Sequence, residues 1–177
     1  MLDELWGPPV AVTAAHAGRA NGMIASTAVA ASLPPEPPRL VVQLAKLSLT
    51  HDLALASGAF AVHLLPAEPV SRSLELFRVL GTQTGREGEK LGALPWEPGI
   101  TGSPILADAL AYLEARVATT LDADGSTIVL ANVVAERRLR GGRPLTIEDV
   151  RANLTPELAA AWDARREQEL RASRTRG

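Results

Sequence analysis

The chain has 177 residues, enough for one domain around a single core. Hydrophobic residues make up 46% and aromatic residues only 3%, so that core is built mainly from Leu, Val, Ile and Ala. The formal net charge of −2 gives no electrostatic reason for a nucleic-acid or anionic-membrane partner, and the absence of cysteine excludes disulfides, thiolate zinc sites and cysteine catalysis while fitting a reducing cytoplasm.

From the N-terminus, Met1-Leu2-Asp3-Glu4-Leu5 is acidic and lacks the basic and apolar regions of a signal peptide. Residues 9–14 are apolar and β-branched and read as a strand. A turn at Gly18-Arg19-Ala20-Asn21 leads to a second strand over 22–29, small and polar in its first half. Pro34-Pro35-Glu36-Pro37-Pro38 reads as a turn, followed by strands over 39–45 and 59–65. Between these two strands a helix runs from about Thr50 to Ser57, with Gly58 as its stop signal. Apolar residues at 70, 74, 77 and 80 predict a helix that Gly81 ends. Residues 82–103 read as a long surface loop with at most one helical turn. Two β-rich runs, 109–121 and 127–138, meet at Asp124-Gly125, a hairpin signal. No apolar run approaches the roughly 18 residues of a membrane helix. Many strands and few helices predict a mainly β fold, a closed or partly closed barrel with flanking helices.

Past residue 145 the pattern changes, dividing the chain into a barrel domain (1–145) and a helical extension (146–177). Thr146 caps a short helix with Asp149 at its third position. Thr155 and Pro156 start a second helix that runs to about Leu170. Its apolar face is thin, Leu158, Trp162 and Leu170, and it is placed outside the barrel, against a second subunit or in solvent.

The chemistry concentrates between Asn21 and Asp52. In Asn21-Gly22-Met23-Ile24-Ala25-Ser26-Thr27 the small residues let a flat ligand lie against the backbone, and the Gly marks close approach. Lys46, Ser48 and Thr50 place one cation and two hydroxyls at a helix N-terminus, where unpaired N–H groups favour an anion, phosphate in particular. An ordinary N-cap also explains Ser48 and Thr50. A planar ring with a phosphate tail fits both ends of this stretch. His51 follows in the first helical turn, facing either the anion or solvent. Lys90 and Arg86 reach toward the same anion from the long loop or are solvated. His63 reads as a hydrogen-bonded structural residue and His16 as exposed. The three histidines lack metal-ligand spacing, and no Walker loop, dinucleotide fingerprint or serine-hydrolase elbow is present.

These motifs, in this order, resemble the flavin reductase-like family, the FMN-binding split barrels. Gly22, Met23, Ser26, Ser32-Leu33, Ser48 and Thr50 match its opening pattern, and Ile24 and Ala30 stand where hydroxyl residues are usual. The similarity continues through Gly58-Ala59-Phe60-Ala61-Val62-His63-Leu64-Leu65, where His63 replaces Asn. It extends through Gly81 to Leu91, Gly102-Ser103-Pro104-Ile105-Leu106, Ala111-Tyr112-Leu113-Glu114 and Pro144-Leu145. The resemblance implies a split β-barrel that binds FMN noncovalently as a homodimer, cytoplasmic, with NADH or NADPH as reductant. Reduced flavin then passes to a partner monooxygenase or another acceptor. It places Asn21–Thr27, Lys46, Ser48, Thr50, His51 and Lys90 at the cofactor and calls for no protein acid or base in hydride transfer. The turn Asp122-Ala123-Asp124-Gly125-Ser126-Thr127 lacks the His that many family reductases carry there. That departure motivates an alternative, a module that binds FMN, another flavin or a deazaflavin without efficient NAD(P)H oxidation. A flavin-free barrel is the third reading.

Overall fold

The computed structural model describes residues 6–33, 37–86 and 88–174. The expected proline turn falls largely outside them, at Pro34, Pro35 and Glu36. Strands β1 (Val10–His16) and β2 (Arg19–Ala25) form a hairpin across Ala17 and Gly18, both at positive φ, as a tight two-residue turn requires. The turn is therefore tighter and earlier than the expected one at 18–21.

The expected strand over 22–29 is two strands. β2 stops at Ala25, and β3 (Ala28–Ala30) starts after a bend at Ser26-Thr27. β2 pairs with β1, whereas β3 pairs with β4 (Arg39–Ala45). At the bend the Gly7 N–H donates to Ser26 O and the Gln43 N–H to Thr27 O. The antiparallel sheet also contains β5 (Ala59–Leu64), β8 (Ala111–Ala123) and β9 (Ser126–Arg138), in the order β2-β1-β5-β8-β9-β4-β3. Its two edge strands are thus neighbours in sequence, joined through two residues. A sheet tied edge to edge by so short a link must curl, and this one is a half-barrel with flanking helices.

Strand alternation fills it. Val10, Val12, Met23, Val42, Leu44, Phe60, Val62 and Val129 face inward, and Leu49, Leu53 and Ala54 of α1 (Leu49–Ser57) join their cluster. Ala11 faces the other way, into a second cluster with Leu76, Phe77 and Leu80 of α2 (Val70–Gly81) and Val150 of α3 (Ile147–Asn153). Gly58, at φ 67°, ends α1. Thr146 and Asp149 form the expected capping box at α3. α4 (Pro156–Arg174) follows.

The 82–103 segment is more structured than expected. It holds a 3₁₀ turn at Leu91–Ala93 and the short strand β6 (Trp96–Pro98), which pairs with β7 (Pro104–Leu106). Three residues ending in proline carry no strand signal. The return turn is held from outside. Buried Glu114 accepts from Ile100 N–H, Thr101 N–H and the Thr101 hydroxyl.

His63 is fully buried, with Nδ1 3.2 Å from Ala11 O and Nε2 accepting from Leu106 N–H at 3.2 Å. Those bonds require the neutral Nδ1–H tautomer and tie β5 to β1 and β7. Burial, the largest influence, lowers its pKa from 6.5 to about 4. Between those values the unfolded chain takes up a proton that the folded chain refuses, so stability falls as pH drops from 6.5 toward 4. The contribution is at most about 1.4 kcal/mol per pH unit. Urea unfolding of wild type and His63→Asn across this range checks it. The variant is expected to lack this part of the slope, and parallel profiles would rule the assignment out.

Candidate functional site

A cavity of about 620 Å³ opens beside the Ser26-Thr27 bend, within the usual size range for small-molecule sites. Met23, Ile24, Ala25, Ser26 and Thr27 form one wall. Gln43 and Ala45 of β4 and Gly125 and Ser126 of the β8–β9 hairpin continue it, and the Gln43 amide donates to the Ser126 hydroxyl at 2.6 Å. Phe77 and Gly81 of α2 form a second side. α4 supplies Trp162, Arg165, Arg166, Glu169 and Leu170, and Trp6 and Ala123 complete the lining.

The contribution of α4 was not legible in the thin apolar face, and the helix packs on α2 of its own chain rather than standing free in solvent. Trp162 packs on Phe77 with ring centroids 3.7 Å apart, and Arg166 lies 4.6 Å above the Trp6 ring. Leu170, expected on the apolar face, is 54% exposed. Residues 162, 165, 166 and 169 share one helix face by their i, i+3, i+4, i+7 spacing. That signal is visible only if charged side chains are counted as packing residues.

The twelve site residues expected from sequence separate into three groups. Met23 to Thr27 line the cavity. Asn21 and Gly22 lie under it. A Cβ on Gly22 would stand 2.9 Å from Leu80 Cδ2, so this glycine admits α2 rather than a ligand. Lys90 is also beneath the wall, 3% exposed, its Nζ donating to Gly22 O and Leu80 O at 3.0 Å. Burial first, then the charge of Arg165, lowers the Lys90 pKa to about 7, with Glu169 opposing the shift. Lys90 therefore fastens β2 to α2.

The third group sits at the N-terminus of α1, directly after the cavity-lining Ala45. Ser48 is its N-cap, accepting from Thr50 N–H at 3.2 Å, and the Leu49 N–H donates to Thr84 O. Asn21 Nδ2 donates to the same carbonyl, which holds the 82–86 segment over the helix start. Arg86 extends the cover, donating to Leu47 O, Lys46 O and Asp52. Lys46 pairs with both Asp122 oxygens at 2.7 Å. His51 faces neither solvent nor an open anion site: Nε2 lies 2.9 Å from the Thr127 hydroxyl and Nδ1 2.8 Å from Asp52. Burial raises the Asp52 pKa, but hydrogen bonds from His51 and Arg86 outweigh it and leave the carboxyl below its ordinary value. A histidine thus reaches the 122–127 turn from α1, although the turn itself has none.

Two buried atoms at this end have no hydrogen-bond partner among the described residues, Thr50 Oγ1 and Asn21 Oδ1. Unsatisfied buried polar atoms cost free energy and are uncommon in folded proteins. No group of three or more His, Cys, Asp or Glu able to hold a metal occurs among the described residues, and no helix among them is long and apolar enough to cross a membrane.

Residues 3–151 match the model of the flavin reductase like domain, and the chain belongs to that family. It is 32% identical over 162 residues to high molecular weight rubredoxin of Moorella thermoacetica, covering 89% of this chain and 69% of that protein. It is 30% identical over 155 residues to the ferric-chelate reductase (NAD(P)H) of Archaeoglobus fulgidus, covering 85% and 89%. Its fold matches the crystal structure of the FMN-binding protein from Thermus thermophilus with bound p-hydroxybenzaldehyde, with a TM-score of 0.69 and 29% identity over 78% of this chain and 77% of that one.

The residues present fit a flavin mononucleotide. The wall at 23–27 offers flat backbone with small side chains at Ala25, Ser26 and Thr27, in a cavity of sufficient volume. Beyond Ala45, the Thr50 hydroxyl lacks an acceptor at a helix start, where a phosphate oxygen would supply one.

Proposed function

We propose that this chain is an NAD(P)H-dependent flavin oxidoreductase that holds FMN in the cavity under α4 and delivers reduced flavin to a separate acceptor. The observation that carries the reading is the Ser26-Thr27 bend, which turns the backbone of 23–27 into the wall of a cavity of about 620 Å³ whose lining reaches Ala45, at the end of β4. Family membership supports it, as do relatives named flavin reductase (NADH) and FMN reductase (NADH). A monooxygenase as the acceptor is supported by the similar reductase subunit of a flavin-dependent monooxygenase in Mycobacterium tuberculosis.

Bound FMN supplies the redox chemistry, hydride acceptance from a nicotinamide and onward donation of electrons. The protein binds, orients and shields. Met23 to Thr27 present backbone to the ring, and Ala25 keeps that face flat. Thr50, whose unpartnered hydroxyl lies beneath the 82–86 segment and outside the cavity lining, would give a phosphate its donor, and Lys46 and Arg86 set a positive potential near it, each tempered by its carboxylate partner, Asp122 or Asp52. Gln43 and Ser126, hydrogen-bonded to each other, close the β4–β9 side. No protein acid or base is needed for hydride transfer to the flavin.

The active species in this reading is a homodimer, supported by exposed Val29, Leu121 and Val134 on β3, β8 and β9, and it works in the cytoplasm, where nicotinamide nucleotides are available. Anaerobic addition of NADH or NADPH to the FMN-loaded protein tests the activity, and the flavin absorbance is expected to bleach.

A further inference from the structure

We propose that Arg165, carried by α4, is a ligand-binding residue that seats a phosphate of the nucleotide bound in the cavity. The inference rests on the flavin oxidoreductase reading, which brings phosphate-bearing nucleotides there. α4 lies beyond residues 3–151, so the family match assigns it nothing.

Arg165 lines the cavity yet is only 6% exposed. Its Nη2 pairs with Glu169 at 3.0 Å, one turn along the helix. Its Nη1 has no acceptor among the described residues. A buried guanidinium nitrogen without an acceptor is costly, and the planar fork suits a tetrahedral oxyanion. The surroundings carry excess positive charge. Arg86 acts on Arg165, Arg166 stands on the next helix position, Arg165 helps lower the Lys90 pKa to about 7, and Glu169 is the carboxylate paired with Arg165 among the described residues. Arg86 in turn bonds to Lys46 O, Leu47 O and Asp52 at the start of α1. Arg165 therefore faces the cavity within the field of Arg86, which is bonded at the start of α1. A phosphate group offset by this cluster supplies the missing acceptor and fixes α4 across the cavity.

The phosphate belongs either to the flavin or to the nicotinamide nucleotide, and two ligand pairs separate the sources. Affinities of FMN and riboflavin are measured by flavin fluorescence on wild type, Arg165→Met and Arg165→Lys, with KM for NADH and NADPH alongside. For a flavin phosphate, Arg165→Met is expected to weaken FMN about tenfold or more while riboflavin stays within about twofold. For a nicotinamide-nucleotide phosphate, both flavins hold and KM rises about tenfold with kcat retained. In either case Arg165→Lys restores part of the loss, because it returns the charge without the fork, and it carries the same readout if the methionine variant fails to fold. Equal weakening of FMN and riboflavin would show a packing role and overturn the proposal, as would no change in any constant. Wild type that binds no flavin would instead remove the flavin reading. Tryptophan fluorescence with inorganic pyrophosphate, reported by Trp6 and Trp162, then decides the anion seat: a response lost in Arg165→Met keeps it, and no response overturns it.

Discussion

Thr50→Val is expected to weaken FMN binding about tenfold or more while leaving the ligand-free protein at least as stable as wild type. The opposite signs follow from one atom. Thr50 is fully buried and its Oγ1 has no partner, so the ligand-free fold gains nothing from the hydroxyl and bears its desolvation. Valine keeps the shape and the Cγ packing. The N-cap is untouched, because Ser48 Oγ accepts from the backbone N–H of residue 50. A phosphate oxygen that accepts from the hydroxyl turns the unpaired group into one end of a charge-assisted hydrogen bond. Fluorescence titration with FMN and urea unfolding without it measure the two halves. Unchanged affinity would remove Thr50 from the site. A less stable variant would mean that the hydroxyl has a structural partner in the ligand-free protein.

Phe77→Ala is expected to cost about 3–5 kcal/mol in stability, measured by urea unfolding, and to free α4. Phe77 is 1% exposed in the second core cluster, and its ring also carries Trp162 at 3.7 Å. Removing it opens a void between α2 and the sheet and takes away the main apolar contact of a helix with an otherwise polar surface. α4 should then become sensitive to proteolysis at low denaturant, before the barrel does, and the Trp162 emission should shift to the red. Wild-type resistance of α4 in this variant would show that Arg166 on Trp6 and Arg165 with Glu169 are enough to hold it.

Much of the barrel was legible because its signals are local. Asp124-Gly125 marked the β8–β9 hairpin, Gly58 and Gly81 marked helix ends, and Thr146 with Asp149 marked a cap. The break at Ser26-Thr27 was not, because nothing in either residue opposes a continued strand. It arises when β3 takes β4 as its partner, a long-range event that also curls the sheet. β6 was missed for the same reason, since its strand character comes from pairing with β7 and not from Trp96-Glu97-Pro98.

The site divides along similar lines. The wall at 23–27 was readable from small residues in a strand, as was the capping chemistry of Ser48 and Thr50. Their occupation by the chain itself was not. That the Thr84 carbonyl covers the start of α1 and that Lys90 is spent on two carbonyls depend on tertiary placement of the 82–90 segment, and that Lys46 is taken by Asp122 depends on where β8 passes the end of β4. Gly22 matched a ligand-approach pattern and proved to be a packing glycine against Leu80. The α4 face escaped notice because its cavity residues are mostly charged, and charge ordinarily signals solvent.

The central claim is tested most directly by the visible spectrum of the FMN-loaded protein under anaerobic conditions, before and after NADH and then NADPH. Bleaching of the bound flavin band by either nucleotide is the predicted result, with the band returning on exposure to an electron acceptor. A bound flavin band that persists through both additions, yet bleaches with dithionite, would contradict the oxidoreductase and leave a flavin-binding protein in its place.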